Sequence, residues 1–498
     1  MFRKVLIANR GEIAVRILRC LREMGISSVA VFSEADRAAL HVQMADEAVC
    51  VGPPPSSESY LAAERIVEAA QRTDAEAIHP GYGFLSENAA FARLCESHKV
   101  KFIGPRWQVI EQMGSKTAAR RIAIAAGAPV VPGTEQSIRN YEEARQSASD
   151  IGYPVLLKAA AGGGGKGMRR VDNENELSSA MRGASSEAER SFGSDEIYLE
   201  KLIERPRHIE VQVLGDEYGH VIHLGERECS VQRRHQKVIE ECPSPLVLSN
   251  SELRERIGAV ALRIVRAVQY ANAGTVEFLA DQFGNFYFLE MNTRLQVEHP
   301  VTEWVTGIDL VRWQIRIAAG ERLALNQEDV RWTGSAIECR LYAEDHENAF
   351  FPSPGTIAQY VEPSGPGVRV DGGVYTGWTV PVEYDPLLAK LSVWAESRPV
   401  AIERLRRAIS EYRVLGIKTN LRLFEQLVAD PDFRSGNLHT AFLDSFMKRR
   451  PASTPDGETI VAAVLAAAYA ESQNHQFLQQ VDHPLALWRG LGRRELLR

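Results

Sequence analysis

Apolar residues recur along this chain with two periods, one helical and one of two, and the changes between them divide it into regions. From residue 1 to about 113, short apolar runs alternate with helical segments. Lys4–Ala8 reads as a strand, Glu12–Met24 as an amphipathic helix closed by Gly25, and Ser28–Phe32 as the next strand. A helix over Leu61–Arg72 precedes strands at Ala77–His79 and Lys101–Gly104. Repeated βαβ units predict a parallel sheet with helices on both faces, a Rossmann-like layout. Its first turn, Ala8–Glu12 (ANRGE), lacks the glycine fingerprint of dinucleotide sites, so no dinucleotide is assigned to it.

The pattern breaks near Gly114. Lys116–Gly127 reads as a helix and Ala128–Gly133 as a proline-marked linker. Strands with period two follow at Glu196–Ile203, His208–Asp216 and Val221–Glu228, the last two joined by a turn at Gly219. Thr275–Asp281 and Asn285–Asn292 form one more hairpin with a glycine turn. This middle region is antiparallel and mixed. From about Trp332 a third region is rich in short strands and ends in the helix Val400–Tyr412. Beyond about residue 447 come a linker of Pro, Ser and Asp and an alanine-rich helix, Thr459–Ser472. No internal repeat is present.

Between these elements stands a run of four glycines, Gly162–Gly165, then Lys166 and Gly167, directly after the buried strand Tyr153–Lys158. A P-loop requires Ser or Thr after its lysine, because that hydroxyl holds Mg²⁺. Gly167 fails this requirement. The dinucleotide pattern matches at Gly162, Gly164 and Gly167, but it must open a helix whose N-terminus binds the pyrophosphate. Met168–Val171 followed by Asp172–Asn175 reads as a short strand and a turn. The unit is therefore a hairpin around a glycine loop. Bare backbone N–H groups there can form an anion nest. A merely flexible surface loop is the plain alternative.

Composition adds exclusions. A length of 498 residues suggests roughly three domains, and 45% hydrophobic with 25% charged residues is ordinary for a soluble protein. The net charge of −7 gives no basic field for nucleic acid. No apolar run is long enough to span a membrane, and the N-terminus enters a strand at once instead of forming a secretory signal. The six cysteines are scattered without a C-x-x-C pair, which argues against a zinc site or a disulfide framework and fits a reducing, cytoplasmic setting.

Three stretches carry candidate chemistry. Glu277 and Glu290 lie on the two strands of the 275–292 hairpin amid apolar neighbours, and Asn292 stands two residues past Glu290 on the same face. An unpaired buried charge is costly, so such carboxylates either face solvent or have a partner. Two carboxylates and an amide oxygen suit a hard cation such as Mg²⁺ bridging nucleotide phosphates. In Asn292–Pro300, Arg294, Gln296 and Glu298 are spaced by two, so an extended segment shows them together. A guanidinium there can grip a small planar oxyanion and a carboxylate can act as general base, a reasonable pocket for bicarbonate. A surface ion pair accounts for the same spacing. Glu226–Glu241 is dense in positive groups for a chain of this charge, which suggests anionic ligands or else a solvated turn.

Taken together, Tyr153–Met168 and Phe288–Leu295 resemble the paired signatures of carbamoyl-phosphate-synthetase-like ATP-grasp enzymes. Ile7–Ile17, His79–Asn88 (HPGYGFLSEN), Glu226–Glu241, Arg294–Glu303 and Phe351–Gly355 narrow the resemblance to biotin carboxylase, over about residues 1–446. Other ATP-grasp ligases would not be expected to share the 79–88 motif or a Lys237 and Arg340 pairing. The resemblance implies an α/β and α+β multidomain fold. Its parts are a Rossmann-like N-terminal domain (1–113), an ATP-grasp core (114–330) with a glycine-rich lid subdomain (about 131–203), a β-rich C-terminal domain (331–446) and a helical tail (447–498) of unassigned role.

It also implies a reaction. ATP, bicarbonate and a biotinyl carrier give ADP, phosphate and the carboxybiotinyl carrier, through carboxyphosphate. By the same resemblance Lys116 and Lys158 hold ATP phosphates, and Gly163, Gly164 and Gly165 close over them as a lid. Glu200, Lys201 and Ile203 meet the adenine edge, and His208, Gln232 and His235 make further nucleotide contacts. Glu277, Glu290 and Asn292 hold Mg²⁺, with Mn²⁺ as an alternative. Arg294, Gln296, Val297 and Glu298 form the bicarbonate pocket, with Glu298 as base. Lys237 stabilises carboxyphosphate, Arg340 the biotin enolate, and Tyr82 and Gly83 face biotin. No Met-Lys-Met biotinylation motif occurs, so biotin is expected on a separate carrier protein. The implied partners are that carrier and carboxyltransferase subunits, with the chain itself a homodimer and no nucleic acid or membrane involved. The final acceptor is left open between acetyl-CoA, as in fatty acid biosynthesis, another acyl-CoA, and pyruvate. The ending Trp488–Arg498 faintly resembles a linker in longer acyl-CoA carboxylase α chains.

Overall fold

The structure is a computed structural model and describes residues 1–134, 137–138, 140–159, 168–192, 196–234, 236–450, 461 and 463–469. The chain forms two compact units, Met1–Ser445 and Phe446–Arg498. The described residues of the second are 446–450, 461 and 463–469; 461 and 463–469 are helical, inside the stretch read as an alanine-rich helix.

The first unit opens with five parallel strands in the spatial order Glu47–Gly52, Ser27–Ser33, Lys4–Ile7, Ala77–His79, Lys101–Phe102. Successive side chains of a strand face opposite ways, so Val5 and Ile7 enter one core with Ile13, Ile17 and Leu21 of the helix Gly11–Glu23. Leu6 enters the other with Ile66 and Ala70 of the helix Ala63–Arg72. Burial on both faces is what a parallel sheet requires. The edge strand Glu47–Gly52 was not read from the sequence: its apolar run, Ala48–Val51, is short, and half of the strand's residues are exposed. The strand order reverses direction between Lys4–Ile7 and Ala77–His79. Ligand crevices of open α/β sheets form at such a point, outside the carboxyl ends of the strands. The segments there are Asn9–Glu12 and Gly81–Gly83.

A small antiparallel sheet follows, in the order Arg169–Val171, Val155–Ala159, Ile197–Lys201. The hairpin around the glycine run is thus present, with Leu157 opposite Arg169. The turn expected over Asp172–Asn175 is shorter than read, because a helix begins at Glu174 and runs to Phe192. Its Glu176 reaches back to accept from the Asp172 N–H at 3.2 Å, which ties the turn to the first turn of the helix. That helix follows a strand and not the glycine loop, so the argument against a dinucleotide fingerprint stands.

The largest element is an eight-stranded antiparallel sheet, ordered Phe286–Asn292, Asn272–Ala280, Arg207–Gly215, Val221–Arg233, Gln236–Cys242, Ser335–Tyr342, Leu387–Ala395, Val368–Gly372. It takes strands from both sides of residue 331. A bulge between Glu277/Glu290 and Phe278/Phe288 leaves Leu289 unmatched and sets the two carboxylates directly opposite each other. No helix among the described residues is long and apolar enough to cross a membrane.

Candidate active site

A cavity of about 1080 Å³ lies among these sheets. One end is walled by the switch-point segments, Asn9–Glu12 and Tyr82–Gly83, and another side by Lys158 and Glu200–Ile203 of the small sheet and the loop after it. The face of the large sheet supplies His208, Gln232, Lys237, Glu277, Glu290, Asn292 and Arg340. Lys116 opens the helix Lys116–Ala125, whose Ser115 caps the Ala118 N–H, so an ammonium and a helix N-terminus meet the cavity together. Lys158 is ion-paired with Glu200.

The carboxylate pair is real and asymmetric. Asn292 donates to Glu277 Oε1 at 2.8 Å, and His208 Nε2 stands 2.8 Å from Glu277 Oε2. Burial would raise the Glu277 carboxyl, but Lys237 and His208 overrule it and hold it low. Among the described residues no ion pair is made by Glu290: burial first, and then the charge of Glu277, push its carboxyl up, and Lys116, His208 and Lys237 only partly offset them. A carboxyl raised by a like charge beside it gains most when a divalent cation enters between them, so the donor set fits Mg²⁺.

Lys237 is the hub. It contacts Glu210, Glu277 (2.9 Å) and Glu298 (2.6 Å). Burial works against its charge, yet three carboxylates raise it well above the ordinary lysine value. Arg340 donates to Glu298 Oε2 at 2.9 Å and to Glu240 Oε1 at 2.6 Å. Glu298 is 0% exposed. Burial would raise its carboxyl, but Lys237, Arg340 and Arg227 hold it well below the ordinary 4.5. A carboxyl depressed on folding adds stability that is complete above its unfolded value and drains away as pH falls through the folded one. The urea midpoint is therefore expected to fall steeply below about pH 4.5, and less steeply in Glu298→Gln; equal slopes would remove this group from the acid transition.

The extended segment expected over 294–298 is a correction. Arg294, Gln296 and Val297 line the cavity, whereas Glu298 sits on a turn (φ −79°, ψ 12°) behind Lys237 and Arg340, just before the helix His299–Thr306. The solvated-turn alternative for Glu226–Glu241 also fails, because most of that stretch is buried in the large sheet. Of the remaining site residues read from the sequence, Tyr82, Gly83, Lys116, Lys158, Glu200, Lys201, Ile203, His208, Gln232, Lys237, Glu277, Glu290, Asn292 and Arg340 all line the one cavity. Gly163, Gly164, Gly165 and His235 lie outside the described residues.

Three supporting groups were missed. Glu87 holds Arg294 by its Nε at 2.8 Å and also accepts from the Thr293 N–H at 2.8 Å. Glu210, two residues past His208 in an alternating strand, shares its face, a signal that period two could have supplied. Glu240 lies in an unbroken buried run, Val238–Cys242, so no alternation marks it.

Residues 1–110 match the family model for the biotin carboxylase N-terminal domain and residues 338–445 that for the biotin carboxylase C-terminal domain. Residues 115–326 match the carbamoyl-phosphate synthase L chain ATP binding domain. A biotin carboxylase of Nostoc sp. is 53% identical over 447 residues, 90% of this chain and 100% of that protein. The chain belongs to the biotin carboxylase family. Members are ATP-dependent ligases, and this chain is one. Another biotin carboxylase relative, a pyruvate carboxylase component from Methanothermobacter thermautotrophicus, is also 53% identical, over 90% of this chain and 91% of its own. Among solved structures, the biotin carboxylase domain dimer of the Hydrogenobacter thermophilus 2-oxoglutarate carboxylase, with MgADP, ADP and bicarbonate, has a TM-score of 0.83 at 52% identity. The match covers 90% of this chain and 98% of that one.

Proposed function

We propose that this chain carboxylates biotin borne on a separate carrier protein, using ATP and bicarbonate through carboxyphosphate. The observation that carries the reading is that Lys237 and Arg340, both paired with the buried Glu298 behind them, line one cavity beside the Glu277–Glu290 pair. Lys116 and Lys158 meet the triphosphate, Glu200 with the backbone of Lys201 and Ile203 the adenine, and His208 and Gln232 the rest of the nucleotide. Gly163–Gly165 and His235 belong to the same proposal. Glu277, Glu290 and Asn292 hold Mg²⁺, which when bound offsets charge on the phosphate oxygens. The same reading divides the chain at about residues 113, 330 and 446.

Arg294, Gln296 and Val297 receive bicarbonate, and Glu298 takes its proton. A bicarbonate oxygen then attacks the γ-phosphorus and ADP leaves. Lys237 stabilises the carboxyphosphate, which splits into CO₂ and phosphate. That phosphate takes the N1 proton of biotin, Arg340 stabilises the resulting enolate, N1 attacks the CO₂ carbon to give carboxybiotin, and Tyr82 with Gly83 faces its ring. For both cations this means exchanging a Glu298 contact for a substrate oxyanion, in a water-poor site where such fixed charges count most. Glu87 sets the guanidinium plane of Arg294. Glu87→Gln is expected to raise KM for bicarbonate about tenfold while KM for ATP stays put; a matching rise for ATP would show a general loosening instead.

The decisive assay is ADP release with Mg²⁺ and bicarbonate, with and without free biotin. Bicarbonate-dependent release stimulated by biotin supports the reading, and release triggered by another small acid or amine in place of biotin sinks it. For the final acceptor we propose acetyl-CoA or another acyl-CoA, supported by the resemblance of Trp488–Arg498 to acyl-CoA carboxylase α chains, with carboxyltransferase subunits as partners and a cytoplasmic setting. Pyruvate is the second reading, favoured by the pyruvate carboxylase relative of equal identity. A homodimer is proposed from the dimeric Hydrogenobacter neighbour.

A further inference from the structure

Lys390 has no part in the reading above, yet it is 1% exposed on the strand Leu387–Ala395. It shares a rung of the large sheet with Arg340 on one side and Asp371 on the other. An ammonium is costly to bury unless it is paired and hydrogen-bonded. Its Nζ donates to the Val297 carbonyl at 2.7 Å and lies 3.3 Å from Glu12 Oε1. The Tyr82 hydroxyl donates to that same Glu12 oxygen, and the Tyr82 ring centroid is 5.9 Å from Nζ. Glu12 is itself clamped: a Cβ on Gly373 would lie 2.5 Å from its backbone nitrogen.

One buried charge thus ties together three separate pieces of chain. The Val297 carbonyl and the Glu298 N–H belong to one rigid peptide plane, so a bond to that oxygen fixes the plane from which the Glu298 side chain departs. Through Glu12 the same ammonium reaches the hydroxyl of Tyr82, whose backbone carbonyl is held independently by Asn9 Nδ2 at 2.7 Å. An apolar side chain of similar length would fill the space but could hold neither end.

We propose that Lys390 is a positioning residue for carboxylation: it locks the Val297–Glu298 peptide and, through Glu12, Tyr82, so that the bicarbonate wall and the biotin-facing loop keep one spacing. The inference rests on the function proposed above. It deepens that reading by coupling two substrate subsites through a residue that touches neither substrate.

The test uses the full chain and the variants Lys390→Met and Glu12→Gln, assayed by bicarbonate-dependent ADP release with free biotin. In Lys390→Met, kcat/KM for bicarbonate and for biotin are both expected to fall at least about tenfold, with KM for MgATP within about twofold of wild type. Glu12→Gln keeps the side-chain volume and an acceptor for Tyr82 and is expected to lower the same two constants less. The double variant is expected to be no worse than Lys390→Met alone, because the residues act as one unit. Unchanged constants in Lys390→Met would overturn the proposal, as would a loss shared equally by ATP, which marks simple packing damage. Should Lys390→Met fail to fold, unchanged bicarbonate and biotin constants in Glu12→Gln overturn it, and a selective fall supports it. A wild-type chain without bicarbonate-dependent turnover would overturn the underlying reading before any substitution is made, and this one with it.

Discussion

Glu298→Gln is expected to lower bicarbonate-dependent ADP release by about 10²–10⁴-fold while the folded chain still binds MgATP. The amide keeps the shape and an acceptor oxygen but cannot take a proton. The fold survives because the two cations keep other partners: Lys237 retains Glu210 and Glu277, and Arg340 retains Glu240. Against its burial, Lys237, Arg340 and Arg227 hold the carboxyl well below its ordinary value and so in the ionised form, and its proton affinity rises when the first two cations turn to substrate. Single-turnover ADP release measures the chemical step, and a MgATP-induced rise in Tm reports binding separately. Activity within tenfold of wild type, with that rise intact, would remove Glu298 from the chemistry.

The second large effect is on stability. Arg227 is 0% exposed and spends its guanidinium on Glu210 (2.5 Å), Gln212 (2.7 Å), Thr302 (3.0 Å) and Thr275 (3.1 Å). Arg227→Met leaves Glu210 buried with one cation in place of two and strips three neutral groups of their partner. Breaking a buried pair from one side costs about 3–5 kcal/mol. The urea midpoint is expected to drop accordingly with an unchanged slope. Arg227→Met combined with Glu210→Gln is expected to recover part of the loss, since the buried carboxylate that lost one of its two cations is then gone. A single variant within about 1 kcal/mol of wild type would mean that Arg227 fills space and little more.

The sequence was most informative where side-chain period and burial coincide. The parallel sheet followed from runs such as Lys4–Ala8, and the 275–292 hairpin from two apolar-rich stretches around a glycine turn, which the structure places at Gly284 with φ +81°. Glu277 and Glu290 stood out because a carboxylate between apolar residues needs a reason, and the register sets them opposite each other. Legibility stopped where a residue's partner is remote in the chain. Glu87 and Arg294 are 207 positions apart, and Lys390 and Val297 are 93 apart. No local period encodes such a meeting. The turn at Glu298 was hidden for another reason: spacing by two fits an extended segment and also a chain about to enter a helix, and only the tertiary ion pairs decide between them.

The large sheet also bears on how this chain can be divided. The family models end one region at residue 326 and begin the next at 338, yet the strand Ser335–Tyr342 is zipped to Gln236–Cys242 across that gap. A fragment stopping near residue 330 would bare the edge of Ile239–Cys242, and the complementary fragment would bare Ala336–Cys339. Unpaired edges of this kind recruit other strands and aggregate. The natural cut in the sequence is therefore a poor cut in the molecule, and the two halves are better regarded as one inseparable folding partner for each other than as interchangeable modules.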